Sequence, residues 1–189
     1  MTLLTTQAQD LISTILQSGE TAIDATAGNG HDSHFLCKTV GSTGSVYAFD
    51  IQQAALDHTA DRLQQSDFSN FKLVHSDHSR LNELIPAECH QRIGAIMFNL
   101  GYLPGGDHTM ITQEQSTIAG IEAALCLLRS GGILTVLAYP GHPGGATETE
   151  AVSVLLSQLE TTQYIVKVLF AQSESTEAPR LFIVKKISL

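Results

Sequence analysis

The sequence predicts an α/β fold: a mostly parallel seven-stranded sheet with helices on both faces. Three observations predict it. From residue 21 onward, short apolar runs alternate with segments of helical periodicity, the pattern of consecutive βαβ units. Residues 21–32, T-A-I-D-A-T-A-G-N-G-H-D, read as a buried strand that ends in an acid and turns through two glycines into a helix. Residues 93–98, I-G-A-I-M-F, are apolar on both faces, as a central parallel strand requires.

The elements follow in order. Residues 5–18 place Leu11, Ile12, Ile15 and Leu16 on one helical face, and Gly19 follows as a C-cap. The first strand holds Ala22 and Ile23, and the glycine turn leads into a helix over 31–39. Residues 46–49 form the second strand, 53–65 an amphipathic helix with Ala54, Ala55, Leu56 and Leu63 inward, and 71–74 the third strand. A short helix to Leu84 is stopped by Pro86. After the strand 93–98 comes a long loop, N-L-G-Y-L-P-G-G-D-H, over 99–108, then a helix over 112–128. Gly131 and Gly132 turn into the strand 133–138, which leaves through the loop Y-P-G-H-P-G-G over 139–145. A helix over 148–159 and strands over 164–170 and 181–186 close the chain, with the polar run 172–177 as a loop.

At 189 residues and 43% hydrophobic, the chain has the length of one well-cored domain, with residues 1–20 as an N-terminal helical element and 21–189 as the core. A net charge of −9 argues against a broad nucleic-acid-binding face, but leaves room for recognition of one extruded nucleotide. Cys37, Cys89 and Cys126 are scattered and odd in number, and read as thiols of a reducing compartment. No basic-then-apolar leader and no 18-residue apolar run occurs, so a cytoplasmic protein without a membrane contact is expected.

In an open α/β sheet, ligands bind outside the carboxyl ends of the strands. The glycine turn sits at such an end. Glycine suits it because it accepts positive φ and has no Cβ to hold a ligand off the backbone, so Ala27, Gly28, Asn29 and Gly30 form a candidate nucleoside cradle. The strand 45–49 ends in Asp50, placed to accept from both hydroxyls of a ribose. A dinucleotide site would put a pyrophosphate on the helix N-terminus, and Ser33 is small enough for that arrangement. Asp24 and Asp32 would then flank the pyrophosphate with negative charge, which is unfavourable. S-adenosylmethionine carries no phosphate and has a cationic sulfonium and ammonium, so the carboxylates favour it.

Other candidates leave from the same sheet edge. Asp77 can accept from the exocyclic amine of an adenine or cap the next helix, and His78 can stack or cap. Asn99 and Tyr102, in N-L-G-Y, occupy the place where methyltransferases acting on amino groups carry an Asn/Asp-Pro-Pro-aromatic motif, here without the paired prolines; a structural tyrosine competes with that reading. Asp107, His108 and His142 lie on glycine-rich loops as bases, substrate ligands or solvated polars. His31 with His34 and His75 with His78 have H-x-x-H spacing, but neither pair has a third ligand at a recognised spacing, so no metal is expected.

The segments D-A-T-A-G-N-G-H-D, A-F-D-I-Q, M-F-N-L-G-Y-L-P-G-G-D-H and Y-P-G-H-P-G-G together resemble the bacterial MnmM family, formerly called YtqB. The similarity runs from residue 21 to about residue 160. It implies a single-domain Rossmann-like S-adenosylmethionine-dependent methyltransferase. It also implies methylation of the aminomethyl group of 5-aminomethyl-(2-thio)uridine at the tRNA wobble position. Matched by position, Asn29, Asp32, Asp50, Gln52, Asp77 and His78 would line the cofactor, and Tyr102, Asp107, His108, Tyr139 and His142 the wobble-base side. The chain departs from the family pattern at Asp77, where a serine is usual, and at Ala178-Pro179-Arg180, where the family has P-P-F.

Methyl transfer to an amine needs the amine deprotonated, and an alkylamine has a pKa of about 10. Desolvation beside a sulfonium lowers that value, and Asp107, His108 or His142 could take the proton. The partner implied is the tRNA anticodon stem-loop, met locally by flipped bases stacking on Tyr102 or Tyr139, with a homodimer as one way to widen the contact. A methyltransferase for a small amine, or a nucleoside-binding module without catalysis, are the competing readings.

Overall fold

The computed structural model describes residues 3–101, 111–171, 175 and 177–187. In chain order its elements are α1 (Leu4–Ser13), β1 (Thr21–Asp24), α2 (His31–Val40), β2 (Ser45–Asp50), α3 (Gln53–Gln64), β3 (Phe71–His75), a 3₁₀ turn (His78–Arg80), α4 (Leu81–Leu84), a second 3₁₀ turn (Ala87–Cys89), β4 (Ile93–Asn99), α5 (Glu114–Leu127), β5 (Leu128–Ala138), α6 (Gly145–Ser157), β6 (Tyr164–Phe170) and β7 (Arg180–Lys186). The strands make one sheet in the order β3-β2-β1-β4-β5-β7-β6. Neighbours among β1 to β5 pair in parallel, whereas β7 runs antiparallel to both β5 and β6. Strand order reverses at β1 and β4, so the connections leaving them diverge to opposite faces and open a crevice at their carboxyl ends.

Central position explains the composition of these strands. β1 and β4 are covered on both sides, so successive residues enter different apolar layers instead of alternating with polar ones. Ile23, Ile96 and Phe98 pack with Leu81, Ile121 and Val152, whereas Ala22, Ala95 and Met97 pack with Ile12, Leu36 and Val40. Large residues fill the layer under α5 and α6; alanines let α1 and α2 approach closely on the other side. Truncating Ile96 or Phe98 to alanine would cost about 2–5 kcal/mol.

Some boundaries differ from the sequence reading, each for a tertiary reason. α1 stops at Ser13, and Gly19 does not cap it; the Gly19 N–H donates instead to the Val40 carbonyl at 2.8 Å. Arg129 turns the chain there, donating to the Ile15 carbonyl at 3.1 Å and through Nε to the Glu20 carboxylate at 2.5 Å. β5 starts at Leu128 and contains both Gly131 and Gly132, where a preceding turn was expected. Its pairing with β4 jumps from Ile93–Leu128 to Ala95–Ile133, so the glycines belong to a bulge within the strand. α6 begins at Gly145, earlier than the expected residue 148. Among the described residues no helix is long and apolar enough to cross a membrane. Of the polar run 172–177, residues 172–174 and 176 lie outside the described residues.

Candidate functional site

The crevice at the carboxyl ends of β1, β2 and β4 has a volume of about 850 Å³. Asp50 fixes its lip. Oδ2 accepts the Gly28 N–H at 2.9 Å and Oδ1 accepts the Gln52 N–H at 2.9 Å, which ties the glycine turn to β2 and sets the plane of the carboxylate. From the other side α3 holds the turn: Thr59 Oγ1 donates to the Gly28 carbonyl at 3.2 Å and Arg62 Nε to the Asn29 carbonyl at 2.7 Å. Gly30 is required by shape, because its φ is +75° and a Cβ there would sit 2.8 Å from Thr59 Cα. Ala27, Gly28, Asn29 and Gln52 line the crevice, whereas Gly30 lies behind its wall.

Asp24 lies beneath the turn and lines no part of the crevice, contrary to its expected place beside the ligand. It is 0% exposed, with Oδ2 accepting the Ser33 hydroxyl at 2.6 Å and Oδ1 the Thr26 N–H at 3.2 Å. Burial, and then the Asp32 charge, push its carboxyl up to about 7 against those hydrogen bonds. Its structural part is to brace the turn from below. Among the turn's acids, Asp32 is the one that meets the crevice.

Asp32 is 8% exposed in the first turn of α2, where the helix dipole favours an anion. Oδ1 accepts from Gln9 Nε2 at 2.7 Å, and Oδ2 accepts from Asn99 Nδ2 across the gap between β1 and β4. A carboxylate only accepts, so the amide nitrogen of Asn99 must face it. Asn99 Oδ1 therefore remains as the unpaired acceptor among the described residues. Its backbone N–H donates to Thr26 Oγ1 at 2.7 Å.

On the β3 side, Asp77 Oδ1 accepts the Ser79 N–H at 2.7 Å and caps the 3₁₀ turn while its side chain lines the crevice. Burial works to raise its carboxyl, but hydrogen bonds from Ser79 and Ser116 and the electrostatic influence of the neighbouring His78 hold it below the ordinary value. His78 is 5% exposed, edge-on to Phe98 with ring centroids 5.3 Å apart. Burial lowers its pKa despite the neighbouring Asp77 and Glu148 charges, so the imidazole is neutral at pH 7. Its Nε2 is buried without a hydrogen-bond partner, at a wall where a bound polar group would supply one.

The opposite wall carries Tyr139 and His142. Tyr139 remains 38% exposed, and partial burial with the Asp32 charge raises its phenol pKa. His142 Nδ1 donates to the Pro143 carbonyl at 3.0 Å, which fixes the orientation of the ring. A Cβ on Gly145 would lie 2.8 Å from His142 Nε2, so glycine at the start of α6 makes room for the ring. Tyr102, Asp107 and His108 lie outside the described residues.

The two histidine pairs do not converge. His31 Nε2 lies 3.3 Å from an Arg62 nitrogen, His34 packs edge-on to Phe68, His75 Nε2 donates to the Ile51 carbonyl at 2.9 Å, and His78 is enclosed. Among the described residues no group of three His, Cys, Asp or Glu could hold a metal ion. The sequence reading missed Thr5, Thr6 and Gln9 of α1, which close one side of the crevice, and Glu177, which reaches it near Gly141. No motif marks them, since each arrives from an element remote in the chain.

A parallel sheet with one antiparallel strand inserted near its edge, a glycine turn after β1 and an acid ending β2 define the class: a Rossmann-like methyltransferase fold. A family model described as "Putative rRNA methylase" matches residues 46–185. The chain belongs to that rRNA methylase family. It is 39% identical over 160 residues to the "tRNA (mnm(5)s(2)U34)-methyltransferase, chloroplastic" of Arabidopsis thaliana, a match covering 80% of this chain and 58% of the relative. The chain thus spans little more than half the length of that curated relative. A "putative rRNA-methylase" from Clostridium thermocellum superposes with a TM-score of 0.93 at 34% identity over 99% of both chains. A "putative methyltransferase" from Streptococcus mutans in complex with SAH gives 0.88 at 31% identity, again over 99% of both.

Proposed function

We propose that this protein is an S-adenosylmethionine-dependent methyltransferase that N-methylates 5-aminomethyl-(2-thio)uridine at the tRNA wobble position, yielding the 5-methylaminomethyl form. The observation that carries the reading is the Asn99 amide, turned by Asp32 so that its oxygen is an available acceptor beside the nucleoside crevice. An amine nucleophile needs such an acceptor to direct its N–H away and its lone pair toward the methyl group. The substrate class is supported by the name of the plant relative, and the donor by the Streptococcus mutans neighbour with SAH.

The donor set fits the cofactor. Asp32, Asp50, Asp77 and Glu177 line the crevice, and no Lys or Arg is among its described lining residues. That charge pattern suits a sulfonium and an ammonium and opposes a pyrophosphate. Asp50 would take the ribose hydroxyls, Asp77 the adenine amine, and Asn29, Gln52 and His78 the remaining polar edges. The bound cofactor supplies an electrophilic methyl group. Asp32 and Asn99 orient the amine, Tyr139 offers a ring for the base, and His142, on the same wall as Tyr139, is the imidazole placed to accept the departing proton. Burial and the Asp24 charge push the Cys37 thiol up to about 12, which keeps it protonated and unreactive at neutral pH.

Incubation with methyl-labelled cofactor and either bulk tRNA from cells lacking the activity or a panel of small amines tests the assignment. Label in 5-methylaminomethyl-(2-thio)uridine after nucleoside digestion is the expected result. Label in a small amine would convert the reading to a metabolite methyltransferase, and cofactor binding without transfer to a non-catalytic module.

A further inference from the structure

Glu148 is a buried acid that the proposed chemistry leaves unused. It lies in the first turn of α6, is 2% exposed, and faces no cation among its hydrogen-bond partners. Oε2 accepts the Thr112 hydroxyl at 2.8 Å and Oε1 accepts the Thr117 hydroxyl at 2.6 Å. Thr112 in turn is tied to Gly101 twice: the Gly101 N–H donates to Thr112 Oγ1 at 2.9 Å, and the Thr112 N–H donates to the Gly101 carbonyl at 2.9 Å. A carboxylate has no proton to offer, so it commits the Thr112 hydroxyl to donate toward α6. The oxygen lone pairs are then aimed at Gly101.

This places Glu148 at the end of a relay that terminates at the acceptor. Three consecutive N–H groups leaving β4 are each anchored from a different direction: Asn99 to Thr26 Oγ1 at 2.7 Å, Leu100 to the Leu137 carbonyl at 2.8 Å, and Gly101 to Thr112 Oγ1. The first two anchors are set by the turn after β1 and by β5. The third depends on a threonine hydroxyl, whose direction depends on Glu148. Without it, the Gly101 end of the segment keeps only the Thr112 N–H donation to its carbonyl, and Asn99, two residues earlier, carries the oxygen that orients the amine.

We infer that Glu148 is a positioning residue for the methyl acceptor, acting through Thr112 and Gly101 on the Asn99 segment and not on the cofactor. The inference rests on the methyl transfer proposed above. It assigns α6 a part in catalysis although Glu148 touches neither substrate nor cofactor, whose expected contacts come from β1, β2 and β3.

The test compares Glu148→Ala, Glu148→Gln, Thr112→Val and Thr112→Ser with the unmodified protein. Steady-state methylation of tRNA should show a loss of kcat of about ten- to a hundredfold for Glu148→Ala, with KM for the cofactor and calorimetric binding of SAH within about twofold. Glu148→Gln should recover much of the loss, since the amide still accepts one hydroxyl, and Thr112→Ser should outperform Thr112→Val. Amide hydrogen exchange supplies a readout independent of activity: the Gly101 and Thr112 N–H groups should exchange faster in Glu148→Ala while those of β1 and β2 are unchanged. If the unmodified protein does not methylate tRNA, the functional reading fails and the exchange data alone judge the latch. Unchanged kcat, unchanged exchange at Gly101, or loss of SAH binding in parallel with kcat would overturn the inference. Should Glu148→Ala fail to fold, the Thr112 pair answers the same question.

Discussion

Asp32 and Asn99 meet across the gap between β1 and β4, the carboxylate of one accepting the amide nitrogen of the other. The contact joins the cofactor turn to the acceptor strand. It converts an asparagine, whose two amide ends are nearly equal in shape, into a one-way acceptor.

Asp32→Asn should therefore damage transfer more than cofactor binding. With an amide at position 32, Asn99 can present either end to the crevice, and the acceptor is lost part of the time. Asn99→Ala removes it altogether. We expect kcat for tRNA methylation to fall about a hundredfold in Asn99→Ala and less in Asp32→Asn, with SAH titration retained in Asn99→Ala. Equal kcat in all three proteins would refute the role assigned to the amide.

Asp50→Ala should act on the other half of the reaction. It removes an acceptor for the ribose and releases the Gly28 N–H it holds at 2.9 Å. Loss of a charged hydrogen-bond partner is worth about 1.5–3 kcal/mol, or roughly ten- to a hundredfold in Kd for SAH. Calorimetry checks this, and an unaltered Kd would count against Asp50 as the ribose ligand.

Asp24 predicts a pH dependence of stability. Its carboxyl sits at about 7 in the folded protein because burial opposes its charge, against about 3.9 in the unfolded chain. The folded state therefore holds the extra proton across that window. Its stabilising contribution is complete below about pH 4 and declines as pH rises through about 7. In Asp24→Asn that dependence is removed. Thermal unfolding at stepped pH should show the native protein losing Tm relative to the variant between about pH 4 and about 7; parallel curves would show that Asp24 titrates normally.

Gly30→Ala should destabilise the fold itself. The φ of +75° strains an alanine, and its Cβ would meet Thr59 Cα at 2.8 Å, a backbone atom that cannot swing aside. A loss of about 1–3 kcal/mol is expected from urea unfolding. Because α3 must move to admit the methyl group, SAH binding should weaken as well.

The sequence by itself determined which segments become strands and helices, where the glycine turn falls and that Asp50 ends β2. Those features are local: hydrophobic period, turn chemistry and central-strand composition are written within a dozen residues. The family motifs also lie in contiguous runs, and so Asn99, Tyr139 and His142 are legible in the sequence. Tertiary structure alone decided what those residues are paired with. Asp24 went beneath the turn because burial of β1 carried its end into the core, where Ser33 and Thr26 meet it. Beyond the end of α1 at Ser13, Arg129, far along the chain, took the Ile15 carbonyl. The Asp32–Asn99 contact and the Glu148–Thr112 latch likewise join residues that no periodicity relates. Hydrogen-bond direction and desolvation depend on neighbours in space, and only closure of the sheet brings those neighbours together.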